Sequence, residues 1–97
     1  MAEKLDVAAR SAALTSVKAW VYDVDKGAIV RVFSFKDFSE AFGFMARAAL
    51  AAEKLDHHPD WTNVWNRVSV SLDTHDAGGI TELDFRLAAE MDRIAGD

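Results

Sequence analysis

Apolar residues recur along the chain either every three to four residues, as in a helix, or every second residue, as in a strand. The order of these two patterns predicts the order of helices and strands. Leu5 to Leu14 is alanine-rich with apolar positions at helical spacing, and Asp6 is a candidate N-cap, which predicts a first helix. Val17 to Val24 and Ala28 to Phe35 favour strands, because β-branched and aromatic side chains suit a pleated surface. Asp25-Lys26-Gly27 between them is typical of a tight turn. The chain therefore begins with a predicted helix and a β-hairpin.

The second predicted strand is apolar on both faces. Ile29, Phe33 and Phe35 share one face, whereas Val30 and Val32 share the other. Helices are expected to cover one face, and a partner or a loop is expected to cover the other.

The longest helical pattern lies in the middle of the chain. Asp37 with Glu40 three residues later is typical of a capping box. Pro59 disfavours helix at the preceding residue, so we expect the helix to end near His57 or His58. Spacings of three and four predict one apolar stripe, made of Phe38, Phe42, Met45, Ala49, Ala52 and Leu55.

The last third of the chain predicts a second hairpin and a third helix. Trp61 to Trp65 favours a strand, with both tryptophans in the core, and Asn66-Arg67 favours a turn. The next strand alternates up to Asp73, with three core-facing residues, Val68, Val70 and Leu72. Thr81 and Asp84 are expected to cap a helix whose apolar face is Leu87, Ala88, Met91, Ile94 and Ala95.

These elements predict an α+β fold of order α-β-β-α-β-β-α, with a four-stranded antiparallel sheet and helices packed on one face. A chain of 97 residues with a single proline and no linker indicates one domain, residues 1–97.

Composition narrows the functional classes. A formal net charge of −5 disfavours binding to nucleic-acid phosphates, which needs a basic face. The absence of cysteine excludes a disulfide framework, a thiolate zinc site and a cysteine nucleophile. No apolar run is long enough to cross a membrane, and the N-terminus lacks a signal-peptide core. We expect a cytoplasmic protein with neither nucleic-acid nor membrane partners.

The chain's three histidines are the candidate chemistry. His57 and His58 are adjacent at the predicted helix end, and His75 follows the last strand, so pairing of strands three and four can bring all three together. Glu53, one turn before His57, can bond its ring and fix the tautomer, and Asp56 can bond backbone or ligand. Imidazole suits proton transfer at neutral pH.

The residues alone leave other interpretations open. A His-His pair at a helix end is often a capping or surface feature, and three histidines can bind a metal ion, although adjacent histidines rarely share one. Asp73 and Asp76 are most simply solvated loop carboxylates. A non-catalytic binding or assembly module on the same fold is a further alternative.

Several runs together resemble the pterin-4a-carbinolamine dehydratase family, from about Trp20 onward. The most specific is the run Glu-Lys-x-Asp-His-His-Pro-x-Trp with a Thr-His downstream. The matching segments are Phe35 to Phe38, Ala41 to Met45, Ala52 to Trp61, Asn63-Val64 and Thr74-His75, and Trp20 matches a family tryptophan.

The resemblance implies a lyase that dehydrates 4a-hydroxytetrahydropterin and so recycles the cofactor of aromatic amino-acid hydroxylases, among them phenylalanine hydroxylase. It also implies the same fold, no metal, no organic cofactor, and a homodimer or homotetramer. His57 and His75 become acid–base candidates, and His58, the third catalytic candidate, orients or binds the pterin. The implied pterin-lining residues are Asp56, His57, His58, Asp73, Thr74, His75 and Asp76, supported by Glu53, Pro59 and Trp20.

Two positions depart from the family's animal members, which often carry cysteine at Ala77 and arginine at Leu83. Neither the cysteine nor the arginine is needed for acid–base chemistry by histidines, but both positions lie near the implied pterin site. The animal members also bind a homeodomain transcription factor. No residue of this sequence indicates that binding surface, so we do not extend the role to this chain.

Overall fold

A computed structural model describes residues 2–97, which form three α-helices, one four-stranded sheet and a short 3₁₀ turn. In chain order these are α1 (Val7–Leu14), β1 (Val21–Asp23), β2 (Ala28–Ser34), α2 (Phe38–Leu55), β3 (Asp60–Val64), β4 (Arg67–Leu72), the 3₁₀ turn (His75–Ala77) and α3 (Glu82–Ala95). The predicted α-β-β-α-β-β-α order is confirmed.

The sheet has the strand order β1-β2-β4-β3, and every neighbouring pair is antiparallel. Ile29 pairs with Leu72 and Phe33 pairs with Val68, so these buried side chains lie on one face. α2 packs against α3 and β4 over this face, as predicted. On the opposite face Val32 is 57% exposed, and no element between residues 2 and 97 covers it.

The first strand is much shorter than predicted. Only Val21–Asp23 pairs with β2, whereas residues 15–19 form turns and a bend. The backbone N–H groups of Ser16 and Val17 donate to carbonyls three residues earlier, and that of Trp20 donates to Val17. Val17 and Trp20 are buried here although neither lies in a strand. The prediction that the strand begins at Val17, which was based on β-branched and aromatic side chains, is therefore wrong.

The apolar face of α2 was predicted correctly only in part. Met45, Ala52 and Leu55 contact the core as predicted, but the other three residues of the predicted stripe are exposed. The buried residues of this helix are Ala41, Phe44, Ala48 and Ala52, whereas Phe38 is 50% exposed and Phe42 is 59% exposed. The core stripe thus lies about a sixth of a turn around the axis from the predicted one. Small alanines let α2 approach its neighbours closely, and Phe44 packs 4.6 Å from the ring of Phe33. Because apolar residues surround most of α2, periodicity could not choose between the faces.

The second hairpin and the last helix largely follow the sequence. Val68, Val70 and Leu72 are buried as predicted. Trp61 packs against the core, but Trp65 is 64% exposed in the turn with φ +51°, so the prediction of a core Trp65 is wrong. The predicted capping box of α3 is present, and its predicted apolar face is buried or half-buried.

Candidate active site

The C-terminus of α2 separates the two adjacent histidines. The helix ends at Leu55, two residues before the earliest predicted end, because Asp56 adopts a left-handed conformation with φ +52°. The N–H of Asp56 donates to Glu53 O and that of His57 donates to Ala52 O, which is the Schellman arrangement. Aspartate tolerates this conformation better than most residues. The chain therefore reverses direction before Pro59 is reached, and His57 turns inward.

His57 pairs with a buried carboxylate. Its Nε2 lies 2.5 Å from Oδ1 of Asp84, the third residue of α3. The His57 side chain is 10% exposed, and the Asp84 side chain is fully buried. A buried carboxylate is stable only when it is paired and hydrogen-bonded, so this contact fixes the position of the imidazole.

The second oxygen of Asp84 accepts two more hydrogen bonds. The Thr81 N–H donates to Oδ2 at 2.8 Å, and the Thr74 hydroxyl donates to it at 2.9 Å. Because Thr74 uses its only hydroxyl proton on the carboxylate, Thr81 is the donor in the 2.8 Å Thr74–Thr81 hydroxyl pair. We call His57, Thr74, Thr81 and Asp84 the Asp84 network. It joins the end of α2, the loop after β4 and the start of α3.

The network also assigns the His57 tautomer. An ionised carboxylate only accepts hydrogen bonds, so the Nε2–H of His57 is the donor to Asp84. Among residues 2–97 no group bonds the His57 Nδ1, and no buried side-chain nitrogen or oxygen in that range is unpaired. Nδ1 therefore reaches the surface, where it can exchange a proton with a bound molecule.

Glu53 bonds His58, so the expected bond to His57 is wrong. Glu53 Oε1 lies 2.6 Å from Nε2 of His58. The left-handed turn at Asp56 brings His58 back over the last turn of α2. Both partners are largely exposed, at 57% for His58 and 77% for Glu53. Such a pair contributes about 0–1 kcal/mol, so it orients His58 more than it stabilises the fold.

The loop after β4 brings His75 to the same edge of the sheet. Asp60 pairs with Ser71, so β3 begins where β4 ends, as predicted. Thr74 and Gly79 form an isolated antiparallel bridge that closes a small loop, and His75 begins the 3₁₀ turn inside it. His75 is exposed, and Thr74 beside it bonds Asp84. The structure therefore brings the two acid–base candidates to one corner.

Comparison with known proteins identifies the family. A family model described as pterin 4 alpha carbinolamine dehydratase matches residues 3–94. The chain belongs to this family.

Relatives of the pterin-4a-carbinolamine dehydratase family match over nearly the whole chain. A protein of Sinorhizobium medicae, named as a candidate pterin-4-alpha-carbinolamine dehydratase, is 57% identical over 96% of this chain and 89% of its own length. One of Nitrobacter hamburgensis with the same name is 58% identical over 98% of this chain and 94% of its own. A crystal structure titled transcriptional coactivator/pterin dehydratase, from Brucella melitensis, is 52% identical with a TM-score of 0.94, covering 97% of this chain and 100% of that one.

The other residues that the family resemblance singled out differ in their distance from the corner that holds His57 and His75. Asp56, Asp73 and Asp76 are exposed, and Pro59 is half-buried between α2 and β3. Trp20 is buried, and its Nε1–H donates at 2.8 Å to Asp92, eight residues beyond Asp84 on α3. That separation is about 12 Å along the helix. Trp20 therefore braces the core, and its role as a supporting residue of the site stays a prediction.

Asp84 and Thr81 are the site residues that the sequence reading missed. Their Thr-x-x-Asp spacing predicts a helix cap, and that cap is present. Nothing in the linear pattern indicates that the other Asp84 oxygen meets a histidine 27 residues away in sequence. Burial of the capping carboxylate would have indicated a further partner for it, but the sequence alone does not show which carboxylates are buried.

Two further findings concern a metal site and a membrane-spanning helix. No group of three or more histidine, cysteine or acidic side chains that could hold a metal ion occurs within residues 2–97. In the same range no helix is long and apolar enough to span a membrane.

Proposed function

We propose that this chain catalyses the loss of water from 4a-hydroxytetrahydropterin to give quinonoid dihydropterin. The observation that carries the proposal is the imidazole of His57, held by Asp84 at Nε2 and open at Nδ1, at the same corner as the exposed His75. Family membership supplies the substrate class.

The reaction needs one proton donor and one proton acceptor. The C4a–O bond breaks as the hydroxyl is protonated and leaves as water, the lone pair of N5 forms the C4a=N5 double bond, and N5 then loses its proton. One protonated and one neutral imidazole meet this need, and the net reaction consumes no proton. The proposed mechanism uses neither a metal ion nor an organic cofactor.

We assign the two proton transfers to His57 and His75. The carboxylate of Asp84 stabilises an imidazolium at His57, as a buried aspartate does in hydrolytic triads. His58, steered by Glu53, orients the pterin, and the polar side chains of Asp56, Asp73, Thr74 and Asp76 line its edges. The product, a quinonoid dihydropterin, links the chain to the recycling of the pterin cofactor of aromatic amino-acid hydroxylases such as phenylalanine hydroxylase.

The direct test is dehydration of freshly generated 4a-hydroxytetrahydropterin, followed by absorbance with and without the protein. We expect an acceleration at neutral pH that is lost in His57→Ala and His75→Ala, together with a bell-shaped dependence of kcat on pH. The uncatalysed loss of water is itself moderately fast, so the no-protein rate is subtracted under identical buffer conditions. No acceleration by a folded protein would favour a binding module instead.

We also propose that the protein assembles as a homodimer or homotetramer through the α2 outer face, which comprises the exposed residues Phe38, Phe42 and Ala49. Phe38 and Phe42 are at least half exposed, and their ring centroids lie 6.0 Å apart. Exposed paired aromatics on one helix face are typical of a protein interface.

Sedimentation velocity tests this assembly. We expect a dimer or tetramer for the wild type and smaller species for the Phe38→Ser/Phe42→Ser double variant, because the aromatic contact area is lost. Leu50→Ser is the matched control, since Leu50 is 72% exposed on α2 but lies outside the α2 outer face. A wild type that sediments as a monomer at micromolar concentration would contradict the proposal.

A further inference from the structure

The N-terminal segment lies across the loop that carries His75. Residues 2–6 precede α1 without regular structure, and the N–H of Leu5 donates at 2.8 Å to the carbonyl of Ile80. The Leu5 side chain packs against the core. The segment is therefore anchored immediately beside Gly79, the residue that closes the His75 loop.

Lys4 makes the contact with that loop. A Cβ placed on Gly79 would lie 2.9 Å from Cε of Lys4 and 3.2 Å from its Cδ and Cγ. The methylene stem of Lys4 thus lies directly on the Gly79 backbone, in space that any larger residue at 79 would fill. No ion pair of the Lys4 ammonium occurs among residues 2–97, so the stem and not the charge makes this contact.

The covered backbone is the point at which the His75 loop closes. The Thr74 N–H donates to Gly79 O at 2.9 Å, whereas the return bond from Gly79 N–H to Thr74 O is long, at 3.4 Å. Two further backbone bonds lie inside the loop, from Ala77 N–H to Thr74 O and from Gly78 N–H to His75 O, each at 3.0 Å. Together with the Asp84 network on the Thr74 side, they hold the loop from within. On the Gly79 side, the outside of the loop is contacted by the stem of the exposed Lys4 and, one residue further on, by the hydrogen bond from Leu5 N–H to Ile80 O.

We propose that Lys4 is a positioning residue for His75, acting through the packing of its stem on Gly79. The inference rests on the proposed function, because it concerns the placement of the proposed acid–base group. Displacing a reacting group by a fraction of an ångström lowers the rate while leaving substrate binding largely intact.

Four variants test the contact. Lys4→Ala removes the stem, and Gly79→Ala displaces it, so we expect each to lower kcat about three- to tenfold with little change in KM. Lys4→Met keeps an unbranched stem without the charge and should retain the wild-type kcat. The double variant Lys4→Ala/Gly79→Ala should be no slower than either single variant, because both break one contact. Lys18→Ala, an exposed lysine beyond α1, is the control.

Two further measurements separate positioning from a general loss of stability. In a His75→Ala background, Lys4→Ala should have no additional effect on kcat. Amide hydrogen exchange at Thr74 should accelerate in Lys4→Ala but not in Lys4→Met or Lys18→Ala, independently of any activity. If His75→Ala slows turnover while Lys4→Ala changes neither kcat nor Thr74 exchange, the positioning role is overturned. If His75→Ala itself has no effect, the assignment of His75 in the proposed function is the part that fails.

Discussion

Asp84→Asn is expected to lower kcat for dehydration about 10²- to 10⁴-fold while preserving the fold, because it reverses the tautomer of His57. The Thr81 N–H cannot change its direction, so the asparagine must place its carbonyl oxygen there to accept that bond. Its amide N–H then faces His57 Nε2, which has to become an acceptor. The ring proton moves to Nδ1, and the open nitrogen can no longer accept a proton from the pterin.

The measurement combines single-turnover kinetics with imidazole nitrogen chemical shifts, which report the tautomer directly. Loss of a charge-assisted hydrogen bond should also cost about 1–2 kcal/mol of unfolding free energy. Asp92→Asn is the matched control, since Asp92 is a carboxylate on the same helix that bonds Trp20 and Arg31 instead of a histidine. A reversed tautomer with an unchanged rate would remove His57 from the chemistry.

His75→Ala is expected to lower kcat about 10²- to 10⁴-fold through loss of a general acid or base. Because His75 is exposed and its ring has no hydrogen bond within residues 2–97, the free energy of unfolding should stay within about 0.5 kcal/mol of the wild type. Loss of activity without loss of stability would separate a chemical role from a structural one.

Chemical rescue sharpens this prediction. Added imidazole should restore part of the activity of His75→Ala, because the vacated position is open to solvent. It should restore less in His57→Ala, whose side chain occupies a site only 10% exposed. The wild type at the same imidazole concentration is the control. A His75→Ala variant with the wild-type rate would show that His75 performs neither proton transfer.

The elements with the clearest local signals were predictable. The caps at Asp6, Asp37 and Thr81 are present because a side-chain oxygen satisfies backbone N–H groups within its own segment. The alternation along β4 placed its core face correctly, since side chains in a strand alternate strictly. The turn before β2 formed around Gly27, whose φ of +63° suits glycine.

Predictions failed where the local pattern allowed two outcomes. α2 is apolar around most of its circumference, so only packing against α3 and β4 selected Ala41 and Phe44 over Phe38 and Phe42. Trp65 has a strand-forming side chain, but the turn between β3 and β4 required a residue with positive φ there.

The sequence by itself determined the order of the elements and the family motif around His57, because both depend on residues close together in the chain. Only the tertiary structure decided what each histidine contacts. The left-handed residue Asp56 sends His57 inward and His58 back to Glu53. Docking of α3 then places the buried carboxylate of Asp84 against His57. A contact between segments 27 residues apart depends on how the helices pack, and no local pattern encodes that.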